Sequence, residues 1–127
     1  MCNSRIFNLD EYGIDSNGSS NTANQEETKL NFSFKDKKYT PRSILVDLEQ
    51  SVLDNIRQGP LSKLYNSDNI LNTKQGSGGT FAGGRYCVDG SFTESVLNRI
   101  RKETESCNLL GFQIVNALGG GCGSGLR

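Results

Sequence analysis

Apolar and polar positions in this chain fall into short runs of two different periods. Leu30, Phe32 and Phe34 alternate with Asn31, Ser33 and Lys35, a period of two that predicts a half-buried edge strand. A turn through residues 36–38 reverses the chain, and Pro41 ends the loop before the next element. The denser run Ile44-Leu45-Val46-Asp47-Leu48-Glu49 is the clearest strand, with its acids at the C-terminal edge. Behind it, Val52, Leu53 and Ile56 follow Ser51 and Asp54, a capping-box-like spacing that predicts a two-turn helix stopped by Gly59 and Pro60. Leu64 and Tyr65 serve as small core anchors in a connection, and residues 70–74 form a weak strand.

Helical spacing is strongest over residues 89–106. Phe92, Val96, Leu97 and Ile100 mark an apolar face there, Ser91 and Glu94 suggest a capping box, and Glu103 pairs with Arg99 on the charged, exposed face. Ile6 and Leu9 suit the last turns of a helix over residues 3–12 ended by Gly13, whereas residues 16–28 contain almost nothing to bury and read as a flexible loop. Residues 112–118, Phe-Gln-Ile-Val-Asn-Ala-Leu, read as a buried parallel strand. Strands alternating with helices predict an α/β fold: a partial Rossmann-like parallel sheet with flanking helices.

That last strand opens into Gly119-Gly120-Gly121-Cys122-Gly123-Ser124-Gly125. Without side chains such a loop can turn backbone N–H groups toward an anion, and a helix starting near Ser124 would add its positive end. A phosphate cradle is the leading physical reading; a flexible tail is the plain alternative. A second glycine-rich stretch, Gly76-Ser77-Gly78-Gly79 running on to Gly83-Gly84-Arg85, follows the weak strand. Two such loops at the carboxyl ends of adjacent strands converge on one crevice. Asp47 and Glu49 end a third strand beside it. They read either as the outer shell of a magnesium ion, held through water, or as caps of the following helix.

The chain is 127 residues long, so it amounts to one domain at most, and at 34% hydrophobic its core is thin. Lys+Arg and Asp+Glu both number 14, which leaves no long-range field to favour nucleic acid or a membrane. No apolar run reaches the ~20 residues of a membrane span, and no secretory leader is recognisable, which predicts a cytosolic protein. Cys2, Cys87, Cys107 and Cys122 lack any Cys-x-x-Cys pair and are expected as free thiols. With no histidine in the chain, Ser/His/Asp and Cys/His catalytic sets are excluded. Cys122 has no base to serve it as a nucleophile.

The glycine loop at 119–125 resembles the tubulin signature Gly-Gly-Gly-Thr-Gly-Ser-Gly, with Cys122 in place of threonine. Gly13-Ile14-Asp15, Tyr39-Thr40-Pro41-Arg42, Val46-Asp47-Leu48-Glu49, residues 57–60, Gly76-Ser77-Gly78 and Arg101-Lys102-Glu103 to Cys107 are similar to β-tubulin in the same order. An FtsZ-like GTPase shares the glycine loop but not these tubulin-like segments, and a dinucleotide enzyme would carry its fingerprint near the start.

The resemblance implies an N-terminal piece, residues 1–127, of a divergent β-like tubulin. Its GTP-binding domain would lack the first strand, the family's Gly-Gln-Cys-Gly-Asn-Gln loop and all that follows the last glycine loop. It implies GTP and Mg²⁺ as cofactors, with Gly76, Ser77, Gly78, Gly119, Gly120, Gly121, Cys122, Gly123 and Ser124 at the phosphates and Glu49, with Asp47, on the magnesium side. It further implies tubulin subunits of the α/β heterodimer and the microtubule lattice as partners, and the cytoplasmic cytoskeleton as location. In the family an acidic loop of the next subunit completes hydrolysis, so no independent turnover is expected of this chain. Departures from the family include Gln50-Ser51 for Pro-Gly, and Gly79, Thr80, Phe81, Gly83 and Arg85 for Asn, Asn, Trp, Lys and His, which predict weaker phosphate binding. The alternative is a truncated or degenerate product that neither binds GTP nor polymerises.

Overall fold

One antiparallel hairpin and one parallel strand pair carry the chain in the computed structural model, which describes residues 9, 11–20, 25–74 and 76–126. Helix α1 (Gln25–Asn31) leads directly into β1 (Phe32–Lys35), which pairs antiparallel with β2 (Lys38–Pro41) in the register Phe32 to Pro41 and Lys35 to Lys38. The two-residue connection puts Asp36 at φ 51° and Lys37 at φ 63°. That double left-handed turn matches the twist of the strands it joins, and a short polar Asp tolerates it better than most residues. Phe34 and Tyr39 stack across the hairpin, ring centroids 4.8 Å apart.

The expected edge strand therefore begins two residues late, because Leu30 and Asn31 finish the helix. The stretch read as a loop, 16–28, holds a hydrogen-bonded turn at its start and α1 at its end. Asp15 N–H donates to Ser19 O at 2.8 Å, and Tyr39 N–H donates to Gly18 O at 2.8 Å. Thr28 within it is fully buried. The helix expected over residues 3–12 lies outside the described residues except for Leu9, Glu11 and Tyr12. Those three enter a turn, Ile14 N–H bonding Leu9 O at 3.0 Å, and Gly13 closes it at φ +60°.

Strand β3 (Leu45–Asp47), helix α2 (Gln50–Gln58) and strand β4 (Ile70–Asn72) make a β-α-β unit in which β3 and β4 run parallel, Leu45 beside Ile70 and Asp47 beside Asn72. Arg57, in the last turn of α2, fastens this unit. Its guanidinium donates to Ile70 O and Asn72 Oδ1, both at 3.0 Å, and pairs with Asp54 at 3.0 Å. Asp54 thus serves Arg57 and does not complete a capping box with Ser51.

Helix α3 (Phe81–Tyr86) is followed by α4 (Gly90–Glu105), the longest helix. Its N-cap is Asp89, whose side chain accepts from Ser91 N–H, in place of the expected Ser91–Glu94 box. The Arg99–Glu103 pair, 2.8 Å apart, is not on the exposed face either. It points inward, where Glu103 accepts from buried Asn69 and Arg99 Nε donates to Asn69 Oδ1. Leu97, expected on the buried face, is the side chain that faces out.

The core is small, as the composition implies. Ile14, Phe32 and Leu64 pack together with Tyr12, Tyr39 and Tyr65 around them, Tyr12 meeting the Phe32 ring edge-on at 5.3 Å. Burial pushes the Tyr65 phenol above its ordinary value. A second buried group, Leu48, Leu53 and Ile70, lies within the β-α-β unit.

The largest departure from expectation concerns residues 112–118. They form no strand, and Phe112, Ile114, Val115 and Leu118 are all exposed. Sequence pattern specifies a willingness to pair, but a ladder needs a neighbour. Among the described residues none offers its backbone to this segment.

Candidate functional site

Two glycine-rich stretches far apart in the chain meet in space. The first, residues 76–80, leaves the end of β4 and reaches the N-cap of α3, where Thr80 Oγ1 accepts from Gly83 N–H at 3.1 Å and itself donates to Ser77 O at 3.3 Å. The second, residues 119–121, opens the four-residue helix α5 (Cys122–Gly125), which closes with Gly125 N–H to Gly121 O at 2.9 Å. Helices α3 and α5 then cross backbone against backbone. A methyl group on Gly84 would overlap Gly121 O, one on Gly121 would overlap the Ser77 side chain, and one on Gly125 would sit 2.5 Å from Phe81 O.

These contacts sort the glycines by what they do. Gly83, Gly84, Gly121, Gly123 and Gly125 are required by packing, since each would drive a Cβ into neighbouring backbone or Ser77. Gly78, Gly79 and Gly120 are required by conformation, at φ +61°, +71° and +82°. Gly76 and Gly119 face open space and have neither reason. Sequence reasoning missed Gly83 and Gly84 as packing residues; the signal was the unbroken Ala-Gly-Gly inside a helix, where glycine is disfavoured unless something passes close.

The remaining expected site residues are close by. Cys122 Sγ lies 3.9 Å from Val46 O, so the second loop abuts the C-terminal part of β3, next to Asp47. Ser124 Oγ donates to Gly120 O, and Asn116 Nδ2 donates to Gly123 O at 2.8 Å, which fixes the loop from within. Asp47 Oδ1 accepts from Glu49 N–H at 3.1 Å, and Glu49 Oε1 accepts from Ser51 Oγ at 3.0 Å. Glu49 occupies the N-cap position of α2 without making a side-chain cap bond, and it is exposed. No cluster of three metal-ligating side chains occurs among the described residues. This donor set, two carboxylates partly engaged by their own turn, suits a cation held through water and does not amount to an all-protein cage.

Two clefts of about 470 and 490 Å³ lie elsewhere, one lined by Ser67, Asp68, Arg99 and Lys102 and the other by Lys74, Cys87, Asp89 and Phe92. Cys87, Cys107 and Cys122 form no disulfide among the described residues. Among the described residues no helix is long and apolar enough to cross a membrane.

Residues 4–127 match the family model described as the Tubulin/FtsZ family, GTPase domain. The Tubulin beta-1 chain of Hypocrea rufa is 40% identical over 121 residues, which cover 91% of this chain and 27% of that protein. The chain thus spans about a quarter of the length of this curated relative.

Proposed function

The chain belongs to the tubulin/FtsZ family and is β-tubulin-like, and from that premise we propose that residues 76–78 and 119–124 are the phosphate-facing floor of a GTP site. The observation that supports this most directly is the backbone contact of Gly121 with Ser77 and Gly84. It holds the two glycine loops together, the second of them beside the C-terminal end of a parallel strand, where open α/β sheets take their ligands. Gly76 and Gly119, glycines with no packing partner, are where a phosphate would approach the backbone.

In this reading Asp47 and Glu49 lie on the Mg²⁺ side. Mg²⁺ would neutralise phosphate charge through waters that Glu49, the more exposed of the two, accepts. Cys122 contributes backbone N–H and a weak thiol donor where the family has a hydroxyl. No residue of this chain is assigned a catalytic role. Bound GTP would be held without turnover, and the protein would act as a β-type structural subunit with tubulin partners in a cytoplasmic microtubule lattice.

A second reading has its own support in the exposure of residues 112–118, since a loop whose leading segment is unpaired is poorly preorganised for a ligand. Under it, the chain binds no nucleotide. Titration of a fluorescent GTP analogue with and without Mg²⁺ separates the two. Saturable, Mg²⁺-dependent binding that Gly119→Ala weakens supports the site, and no binding at high micromolar analogue supports the second reading.

A further inference from the structure

The chain holds a single Asn-Gly pair, Asn17-Gly18, and the structure sets it in the closed turn that runs from Ile14 to its bridge partner Ser20. Asn17 is exposed and Gly18 is buried. Gly18 also ties this turn to the hairpin. Its N–H donates to Asp15 O and its own carbonyl accepts from Tyr39 N–H, both at 2.8 Å, while Asp15 N–H donates to Ser19 O at 2.8 Å. A φ of +82°, and a Tyr39 carbonyl oxygen 2.7 Å from where a Cβ would stand, make glycine the residue that fits here. A position that packing reserves for glycine thereby sets an uncrowded backbone nitrogen next to an asparagine amide. Every other asparagine is followed by a residue with a side chain, which hinders the same approach.

We propose that Asn17 is a self-modifying site, a deamidation centre gated by opening of the 15–19 turn, one of whose products cannot restore the latch on Tyr39. The reaction needs only water. Hydroxide takes the Gly18 N–H proton, the nitrogen attacks Asn17 Cγ, and the Cγ–Nδ2 bond breaks as ammonia leaves with a proton from solvent, which gives a cyclic succinimide. Hydrolysis at one carbonyl returns aspartate in the original backbone. Hydrolysis at the other routes the main chain through the side chain, as isoaspartate with an extra backbone carbon. In the closed turn the nucleophile is occupied, because the proton it must lose is the one it donates to Asp15 O. Reaction therefore proceeds from the open turn, and its rate in the folded chain reports how often that turn opens. The two products then part ways. Aspartate keeps the spacing of Asp15, Gly18 and Ser19, whereas isoaspartate lengthens the loop and carries the Gly18 carbonyl off the Tyr39 N–H. Ile14, packed in the core with Phe32 and Leu64, loses a restraint on its C-terminal side.

The proposal does not depend on nucleotide binding and is tested without it. The purified chain is aged at mildly alkaline pH beside a synthetic peptide of residues 13–20, the unfolded reference. Peptide mapping follows the amide-to-acid mass change, and methyl transfer from S-adenosylmethionine by an isoaspartyl methyltransferase counts isoaspartate. Modification is expected at Asn17 ahead of every other asparagine, about tenfold or more slower than in the peptide and rising to the peptide's rate in denaturing urea. Asn17→Gln abolishes it. In the separated isoaspartyl form the Tyr39 amide loses its protection from hydrogen exchange, while Asn17→Asp, which adds the charge without the extra carbon, keeps it. A folded chain that deamidates as fast as the peptide, one that first loses a different amide, or one that leaves Asn17 intact over weeks overturns the proposal. So does an isoaspartyl form whose Tyr39 amide is as protected as in the parent chain.

Discussion

The Ser77 side chain lies against the backbone of Gly121 so closely that position 121 has no room for a side chain. This contact joins two loops that the sequence separates by α3, α4 and the exposed segment after it. Its geometry makes Gly121 hard to replace, since a Cβ there would also lie 2.4 Å from Ser77 Cβ. A methyl group there would also stand 2.7 Å from Thr80 O, which is backbone and cannot rotate away. Gly121→Ala is expected to destabilise the chain by about 1–3 kcal/mol, the usual cost of overpacking. Chemical denaturation measures this directly, and a midpoint equal to that of the parent chain would show that the loops do not pack as described.

Gly119 is the counter-case. A Cβ there meets nothing within 4 Å, and its φ is not in the left-handed region. Gly119→Ala should therefore leave stability within about 0.5 kcal/mol of the parent, as surface substitutions do. If the loop cradles phosphate, the same methyl group obstructs the approach of an anion to the backbone and nucleotide affinity falls. Stability and affinity thus separate at Gly119 and fall together at Gly121. Thermal unfolding of both variants alongside titration of the GTP analogue gives the comparison, and a loss of stability in Gly119→Ala removes the argument for a ligand there.

Arg57 shows how one side chain fixes a β-α-β unit. Its planar fork reaches the Ile70 carbonyl and the Asn72 side chain of β4 while its stem belongs to α2. Arg57→Met keeps the stem and removes both bonds, for an expected cost of about 1–3 kcal/mol, since hydrogen bonds to charged groups are among the stronger ones. Arg57→Lys should recover only part of this, because an ammonium cannot reproduce the fork. Hydrogen exchange at the amides of β4 is the local readout, and unaltered protection in Arg57→Met would locate the fastening of the unit elsewhere.

How much of this was legible in the sequence depended on whether a feature was local. The hairpin turn, β3, α2, β4 and α4 were all readable, because periodicity and turn residues act over a few positions. The glycine loops were expected to meet at the carboxyl ends of adjacent strands; Ser77 and Gly121 do touch, but residues 112–118 form no strand, so that rule does not account for it, and the packing glycines in α3 were not expected. Asn69 illustrates what pattern cannot show. It is a polar residue in a connecting 3-10 turn, yet it is buried, with Arg99 donating to its amide oxygen and its amide N–H donating to Glu103. Nothing in the spacing of Arg99 and Glu103 distinguishes a pair facing solvent from one facing a buried amide. Residues 112–118 illustrate the opposite error. Their composition is that of a buried strand, but composition measures the gain from pairing, and the partner that would realise it is not among the described residues.

Asp89 gives the clearest pH-dependent feature. The Ser91 hydroxyl donates to its Oδ2 at 2.6 Å and the Ser91 N–H to its Oδ1 at 3.2 Å, and these bonds hold the carboxyl below its ordinary range. Both bonds need the carboxylate, which also lies at the positive end of α4. With the folded value lowered and the unfolded value near the usual ~3.9, the cap contributes fully above the unfolded value. It is lost as pH falls through the folded one, so acid should loosen the first turn of α4 only after carboxylates of ordinary pKa have been protonated. Titration of the Asp89 carboxyl carbon by NMR should give a midpoint below that of a peptide of residues 87–93. Ser91→Ala should move it up toward the peptide value, because the hydroxyl bond is the larger cause. A midpoint indifferent to Ser91→Ala would mean that the backbone N–H alone sets the cap, and hydrogen exchange at the first turn of α4 would then be equally indifferent to that substitution.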